Sequence, residues 1–388
     1  MFSKNMGYGN VCFPKSISKI KGAEAHVLTS QAQYNYNHPE YEQLYQKFHG
    51  DPILPVGTEE LAPDFYVHRI PFKLYKTEIY FVGLYKAIKK IRPDYVQVFD
   101  CNSIDTFKLA LFKPFLGYKL YTGNSTVLSV FPMDRQWKTA SWFTKLKWQI
   151  KHVFTGRIIS WMSNRCYPST IDASYIAENY FGIQKHKLEV SPLGYDAELF
   201  APDHDLTKKK DFKKKLGFTE HDFICIYTGR MMKDKNPLLL AQAIDWINQN
   251  TDHKVQGVFI GEGEQKEAIK NTKNVLVLDF MSHTELPAYY QFLDVGVWPT
   301  QESTSMIDAA ACGLPIIVSD QLKAIERVEG NGLQYKEGDF VDLAKKIIQL
   351  KENSDLYKQL SEYGAQKMRS TFSWDAIANY KLSEYQKF

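Results

Sequence analysis

No run of about 18 or more apolar residues occurs in the 388-residue chain, which excludes a membrane-spanning helix. The opening MFSKNMGYGNV lacks an apolar h-region, so no secretory signal is expected. Cysteine is scarce: Cys12, Cys101, Cys166, Cys225 and Cys312 are scattered, odd in number and without CxxC or Cys/His spacing. That argues against a disulfide scaffold or a structural zinc and predicts a reduced, cytosolic chain. Asp100, Asp105 and Asp134 form no Asp-x-Asp cluster. No module of interleaved aromatic and basic residues for single-stranded RNA is found, so nucleic acid is not an expected partner.

What is present is ordinary globular chemistry. Hydrophobic residues make up 44% and charged residues 24%, which rules out collagen-like and wholly disordered chains. The length predicts two domains. The net charge of +4 hides an asymmetry. Residues 1–170 hold 22 Lys/Arg against 12 Asp/Glu, a balance of +10, and the rest hold 26 against 32, or −6. A basic half joined to an acidic half points to an anionic partner for the first half, or to a merely solvated basic face.

The second half alternates short apolar runs with helical spacing. Strands are predicted at 222–227, 254–260, 275–280, 295–298 and 316–319, the last closing the series. Helices are predicted at 237–248, 264–270, 283–292 and 305–312, the last ended by Gly313 with Pro315 beyond. Such alternation predicts a parallel, doubly wound α/β sheet. The first half reads similarly. Its strands fall at 24–29, 95–99, 119–122 and 165–168, and its helices at 79–91 and 106–115. The division expected is 1–192, 193–372, and a terminal helix over 373–388 that packs back on the first domain. A glycine loop, Lys4–Asn10 with Gly7 and Gly9, follows only Met1-Phe2-Ser3. Either the first strand is a stub or the chain begins inside its natural frame.

Four stretches of the second half carry candidate chemistry, most of them just after strands, where open parallel sheets bind ligands. Gly229-Arg230 with Lys235 offers a tight turn, a planar fork for phosphate oxygens and a point charge. Gly261-Glu262-Gly263 allows close backbone approach. Glu302-Ser303-Thr304-Ser305 precedes a helix that holds Asp308 in its first turn, a favourable place for anions and carboxylates alike. Ser191-Pro192-Leu193-Gly194-Tyr195-Asp196, followed by Phe200, lies at the domain boundary. Taken singly, each has a plainer reading: surface cations beside a turn, a β-to-α turn, helix capping, and a hinge.

Together, in this order and spacing, the four resemble the retaining family-4 glycosyltransferases of GT-B fold, over about residues 190–320. The resemblance rests on SPLGYDAELF, on Gly229-Arg230 with Lys235, on Gly261 and Gly263, and on DAAACGLP from Asp308 to Pro315. It implies an α/β chain with two Rossmann-like, doubly wound domains facing across a cleft. The activity implied is transfer of a sugar from a nucleotide sugar, UDP- or GDP-linked, to a glycan or lipid-linked acceptor in polysaccharide or glycolipid assembly. Arg230, Lys235 and Glu302 would be catalytic. Gly229, Gly261, Gly263, Ser303, Thr304, Ser305 and Asp308 would bind the donor, with Asp308 on the ribose. Gly7, Gly9 and Asn124 would line the cleft from the first domain.

The family's two glutamates have seven residues between them. Here Glu302 and Asp308 have five between them, the second acid is Asp, and Thr300 stands eight before it. The family's first-domain histidine has no counterpart in Thr122–Thr126, where Asn124 is the available hydrogen-bonder. The expected chemistry is retaining and metal-independent, with cations stabilising the leaving diphosphate and no further cofactor. Two alternatives stay open: a non-catalytic GT-B subunit supporting a partner transferase, and a sugar-nucleotide epimerase.

Residues 141–162 mix Trp142, Phe143, Leu146, Ile150, Phe154 and Trp161 with Lys145, Lys147, Lys151 and Arg157. As a helix, most of the apolar set shares one broad face with the cations largely off it, and Gly156 weakens a long continuous helix. The segment is either an anionic-membrane contact or an ordinary amphipathic core helix. The first reading places the chain in the cytoplasm, peripheral on the inner face of the plasma membrane.

Overall fold

The computed structural model describes residues 9–32, 51–75, 78–129, 131, 136–137 and 139–387. The expected opening strand at residues 1–3 and Gly7 lie outside the described residues. The chain divides into two compact units, Met1–Leu193 with Ile377–Phe388, and Gly194–Ala376. Among the described residues, no helix is long and apolar enough to cross a membrane.

The first unit opens on the helix Gly9–Ser18, so Gly9 begins a helix. Strands β1 (Ala25–Ser30), β2 (Gly57–Ala62) and β3 (Phe65–Ile70) form a sheet of order β1-β3-β2, parallel between β1 and β3 and antiparallel between β2 and β3. Strands β4 (Phe72–Tyr75) and β5 (Glu78–Phe81) pair antiparallel. The helix expected from residue 79 therefore starts only at Leu84 and runs to Ile91. Gly83, at φ 82, takes a left-handed turn that separates strand from helix. Strands β6 (Tyr95–Gln97), β7 (Lys119–Asn124) and β8 (Arg165–Pro168) form a parallel sheet, with the helix Ile104–Leu116 between β6 and β7.

Residues 142–162 form a continuous helical run, α over Trp142–Trp148, π over Gln149–Phe154 and α over Thr155–Met162. Gly156 does not interrupt it. A Cβ there would lie 1.7 Å from the Phe181 carbonyl oxygen, so the missing side chain lets the helix press on that loop. The terminal helix Trp374–Lys387 begins in the second unit. Within the first unit its Tyr385 ring lies 4.1 Å from that of Tyr121, centroid to centroid, and Lys381 is buried over the rings of Phe13 and Tyr167.

The second unit is a six-stranded parallel sheet. Its strands are β9 (Phe223–Thr228), β10 (Val255–Ile260), β11 (Val275–Leu278), β12 (Val295–Trp298), β13 (Ile316–Ser319) and β14 (Gly332–Tyr335). The order β11-β10-β9-β12-β13-β14 is that of a doubly wound sheet, with its topological switch point between β9 and β12. β13 does not close the series, because β14 pairs beyond it. The helix expected over 283–292 is divided: a single 3₁₀ turn, His283–Glu285, is capped by Ser282, and the α-helix Pro287–Phe292 starts at its proline. β9, β12 and β13 are buried on both faces, which is why they read as unbroken apolar runs.

Candidate functional site

The loops after β9 and β12 flank the switch point, and they carry most of the residues singled out above. Two hydrogen bonds tie them, and a third joins the ends of the two strands. Lys235 Nζ donates to the Glu302 carbonyl at 2.9 Å, Thr300 Oγ1 donates to the Asp234 carbonyl at 2.6 Å, and Trp298 Nε1 donates to the Thr228 carbonyl at 3.0 Å. Arg230 is exposed and paired with Asp234 at 3.2 Å. Lys235 is half-buried. Burial lowers its pKa from the ordinary lysine value, the carboxylates of Glu302 and Asp234 oppose that shift, and Arg230 and Arg327 reinforce it. Two cations, one exposed and one partly desolvated, thus stand beside a loop that bears a carboxylate.

The glycines bring the loops together. Gly261 has φ 146, and a Cβ on it would sit 2.0 Å from the Gly229 carbonyl oxygen. Gly263 has φ 150, and its Cβ would fall 2.4 Å from the Met231 carbonyl oxygen. The loop after β10 is therefore laid directly against the loop that carries Arg230, joined by Gly229 N–H to Ile260 O at 3.0 Å and Met231 N–H to Glu262 O at 2.7 Å. The close approach expected of this Gly-x-Gly is, in the structure, an approach of backbone to backbone.

The stretch before the helix Ser305–Ala311 is held from several sides. The Ser303 Oγ accepts from Ser305 N–H at 3.3 Å, and the Ser303 carbonyl accepts from the buried Arg327 at 3.4 Å. The Ser305 side chain is a partner of the Tyr290 hydroxyl, which also meets Thr228 Oγ1 at 2.7 Å. Thr304 makes no side-chain capping bond, so simple capping does not account for its place. Asp308 is buried, and its Oδ2 lies 3.0 Å from His283 Nε2. The His283 ring packs at 4.7 Å on Phe200, the last residue of the SPLGYDAELF stretch. In the same stretch a Cβ on Gly194 would meet the Trp374 ring at 2.5 Å, and Tyr195 pairs its backbone with Phe372 and Trp374. This stretch both packs the terminal segment of the second unit and, through Phe200 and His283, backs Asp308.

Burial raises the Asp308 pKa above the ordinary aspartate value, the histidine contact works against it, and the Asp196 carboxylate adds to the rise. A raised folded pKa means that the folded state holds this proton more tightly than the unfolded chain. The group's contribution to stability therefore falls as pH rises through the window above the ordinary value. Asp308→Asn is expected to melt higher than the wild type at pH ~7, with the difference closing towards pH ~4. Thermal scans across that pH range measure it.

Asn124 ends β7 and is buried. Its Nδ2 donates to the Ala173 carbonyl at 2.8 Å and its Oδ1 accepts from Thr126 N–H at 3.2 Å, so its amide organises its own loop. The chain's Asp-x-Asp spacing, Asp203-His204-Asp205, serves a helix start: Asp205 caps Leu206–Lys215 and Asp203 pairs with Lys208. His283, Tyr290 and Arg327 escaped the sequence reading. Each acts through a partner more than 20 residues away, and no local spacing marks it.

Residues 208–367 match the family described as Glycosyl transferases group 1. Alpha-monoglucosyldiacylglycerol synthase of Acholeplasma laidlawii is 21% identical over 81% of this chain and 80% of its own. UDP-Gal:alpha-D-GlcNAc-diphosphoundecaprenol alpha-1,3-galactosyltransferase of Escherichia coli is 32% identical over 34% of this chain and 37% of its own. For most of the curated relatives, the match spans about half of their length. The Anabaena protein Alr3699/HepE, solved in complex with UDP, aligns with 100% of this chain and 98% of its own, at a TM-score of 0.69 and 14% identity. At that identity the likeness is one of fold, and the fold is GT-B.

Proposed function

We propose, from a chain whose second unit carries the group 1 glycosyl transferase segment, that this protein transfers a sugar from a nucleotide sugar to a glycan or lipid-linked acceptor. One observation carries the reading: Arg230 and Lys235 stand on a loop tied to the Glu302 loop at the switch point of a doubly wound sheet. Breaking the anomeric C–O bond leaves negative charge on the diphosphate. Arg230 and Lys235 stabilise it, Lys235 more strongly because it is partly out of water. Glu302 approaches the donor sugar and Asp308 the ribose, held by His283. UDP or GDP is the donor nucleotide. The solved relative bound to UDP supports the former.

Transfer is retaining and metal-independent in this reading. The acceptor oxygen bonds to the anomeric carbon on the face the phosphate leaves, and a leaving-phosphate oxygen takes the acceptor proton. Two relatives are named for alpha-linked products, and an α-linked donor giving an α-linked product is retention. The same names contain lipid parts, diacylglycerol and diphosphoundecaprenol, which supports a lipid-linked acceptor in glycolipid or surface-polysaccharide assembly.

The test is turnover of UDP- and GDP-sugars by the full chain, with and without a lipid-linked acceptor. Acceptor-dependent release of nucleoside diphosphate, unchanged by EDTA, is expected. Turnover without an acceptor would indicate an epimerase or hydrolase. No turnover with any donor would indicate a non-catalytic subunit.

A further inference from the structure

The helical run Trp142–Met162 has an anchored face and an open one. The anchored face is fixed within the first unit. Trp148 Nε1 donates to the Tyr180 carbonyl at 2.8 Å, His152 Nδ1 lies 2.9 Å from Asn102 Nδ2, and Val153, Gly156 and Ile159 are buried. That leaves a set of large apolar side chains outside. Trp142 and Trp161 are each 73% exposed, Ile150 and Phe154 each 63%, and Phe143 58%. The helix packs on its unit through Trp148, Val153 and Ile159, and core packing does not account for these five.

Two of the cations do not lie off this side, as the sequence suggested: Lys147 and Arg157 are exposed together with Phe143, Ile150, Phe154 and Trp161 along the outward row of the run. Lys147 lies 4.9 Å over the Phe143 ring. The charge is of one sign: no Asp or Glu occurs from residue 135 to residue 171, while Lys145, Lys147, Lys151 and Arg157 all fall within the run. Two exposed tryptophans near the ends of a basic, aromatic row match the chemistry of a lipid interface, where indole rings sit at headgroup level and lysine and arginine meet anionic phosphates.

We infer that the outward face of residues 142–161 docks on the surface of an anionic lipid bilayer, lying in the plane of the interface with Phe143, Ile150, Phe154 and Trp161 inserted and Lys147, Lys151 and Arg157 on lipid phosphates. This rests on the reading of the chain as a transferase with a lipid-linked acceptor and names the surface that brings it to that acceptor. The partner is the bilayer surface.

The experiment uses the full chain with vesicles of phosphatidylcholine alone or mixed with phosphatidylglycerol, at low salt. Co-sedimentation with the anionic vesicles is expected, weakening as salt is raised. Lys147→Glu/Arg157→Glu should bind at least about tenfold more weakly, from roughly 1 kcal/mol for each basic residue near the surface. Phe154→Ser/Trp161→Ser should lose a comparable factor. Lipid brominated near the headgroup should quench tryptophan emission in the wild type and less in Trp142→Ala/Trp161→Ala. These side chains are exposed and belong to the other unit from Arg230 and Lys235, so each variant should keep its thermal response to nucleotide. Absence of anionic-vesicle binding by the wild type, or equal binding by the variants, overturns the inference. So does a dimer in solution that Phe154→Ser/Trp161→Ser dissociates. Vesicle binding without any nucleotide response would instead leave the docking surface standing and sink the transferase reading.

Discussion

Lys235→Met is expected to lower sugar transfer by a factor of ~10²–10³, the usual effect of removing one preorganised donor aimed at developing negative charge. The loss follows from where the ammonium sits. It is half-buried, its pKa is lowered by burial against the opposing Glu302 and Asp234 carboxylates, and it donates a hydrogen bond to a neutral carbonyl, that of Glu302. A partly desolvated cation acts more strongly on an incoming diphosphate than Arg230, which is exposed and ion-paired with Asp234. Arg230→Ala should accordingly cost less in rate. The effect should divide between kcat and KM, because the diphosphate is present in the bound donor and gains charge in the transition state. A Lys235→Met chain that melts normally and transfers sugar at more than about a third of the wild-type rate would show that this residue only fastens the loop.

The second large effect is expected at the opposite ends of the same two strands. Asp294 immediately precedes β12 and is buried. Its carboxylate accepts from Lys213 at 2.8 Å, from Lys209 at 2.7 Å and from the Ile224 N–H at 2.9 Å. Lys213 is itself buried and donates also to the Asp222 carbonyl at 2.7 Å. Burial lowers the Lys213 pKa, and Asp294 opposes that shift. Asp294→Ala leaves the lysine desolvated and without its counter-charge and leaves Ile224 N–H without that acceptor. The expected cost is ~3–5 kcal/mol, that of breaking a buried pair from one side. Urea unfolding of the second unit measures it. Replacing the buried pair together, Asp294→Leu with Lys213→Met, should recover much of the loss, because the buried ammonium is gone and Lys209, part-exposed, can turn to water. Asp294 stitches β9 to β12 where the strands begin, and Lys235 stitches the loops where they end. The first should therefore change stability with little change in nucleotide affinity per folded molecule, and the second the reverse.

This division also explains what could be read in advance. The second unit was legible because its central strands are buried on both faces and stand out as apolar runs such as Ile224–Tyr227 and Val295–Trp298. Where a strand is half-exposed the signal fails. β2 is GTEELA, mostly polar and exposed, and its place comes from antiparallel pairing with β3 rather than from its own pattern. β14, with Gly332 and Gln334, is missed for the same reason. Glu78–Phe81 looked helical because it adjoins the true helix Leu84–Ile91, and only the left-handed Gly83 divides them. In the candidate site, Arg230, Lys235, Glu302 and Asp308 were marked by position after strands and by their spacing. The groups that hold them, His283, Tyr290 and Arg327, are joined to the site by folding alone. The outward aromatic row of residues 142–161 shows a different limit: periodicity reports that a face exists, not whether it is buried.

The proposed reaction requires the second unit to bind a nucleoside diphosphate through Arg230 and Lys235. Calorimetric titration of the full chain with UDP and with GDP, repeated on Lys235→Met, measures this. One site per chain is expected for one of the two nucleotides. Binding should be at least about tenfold weaker in the variant, a difference of ~1.4 kcal/mol. Binding of neither nucleotide, or equal binding by the wild type and Lys235→Met, would contradict the proposed reaction.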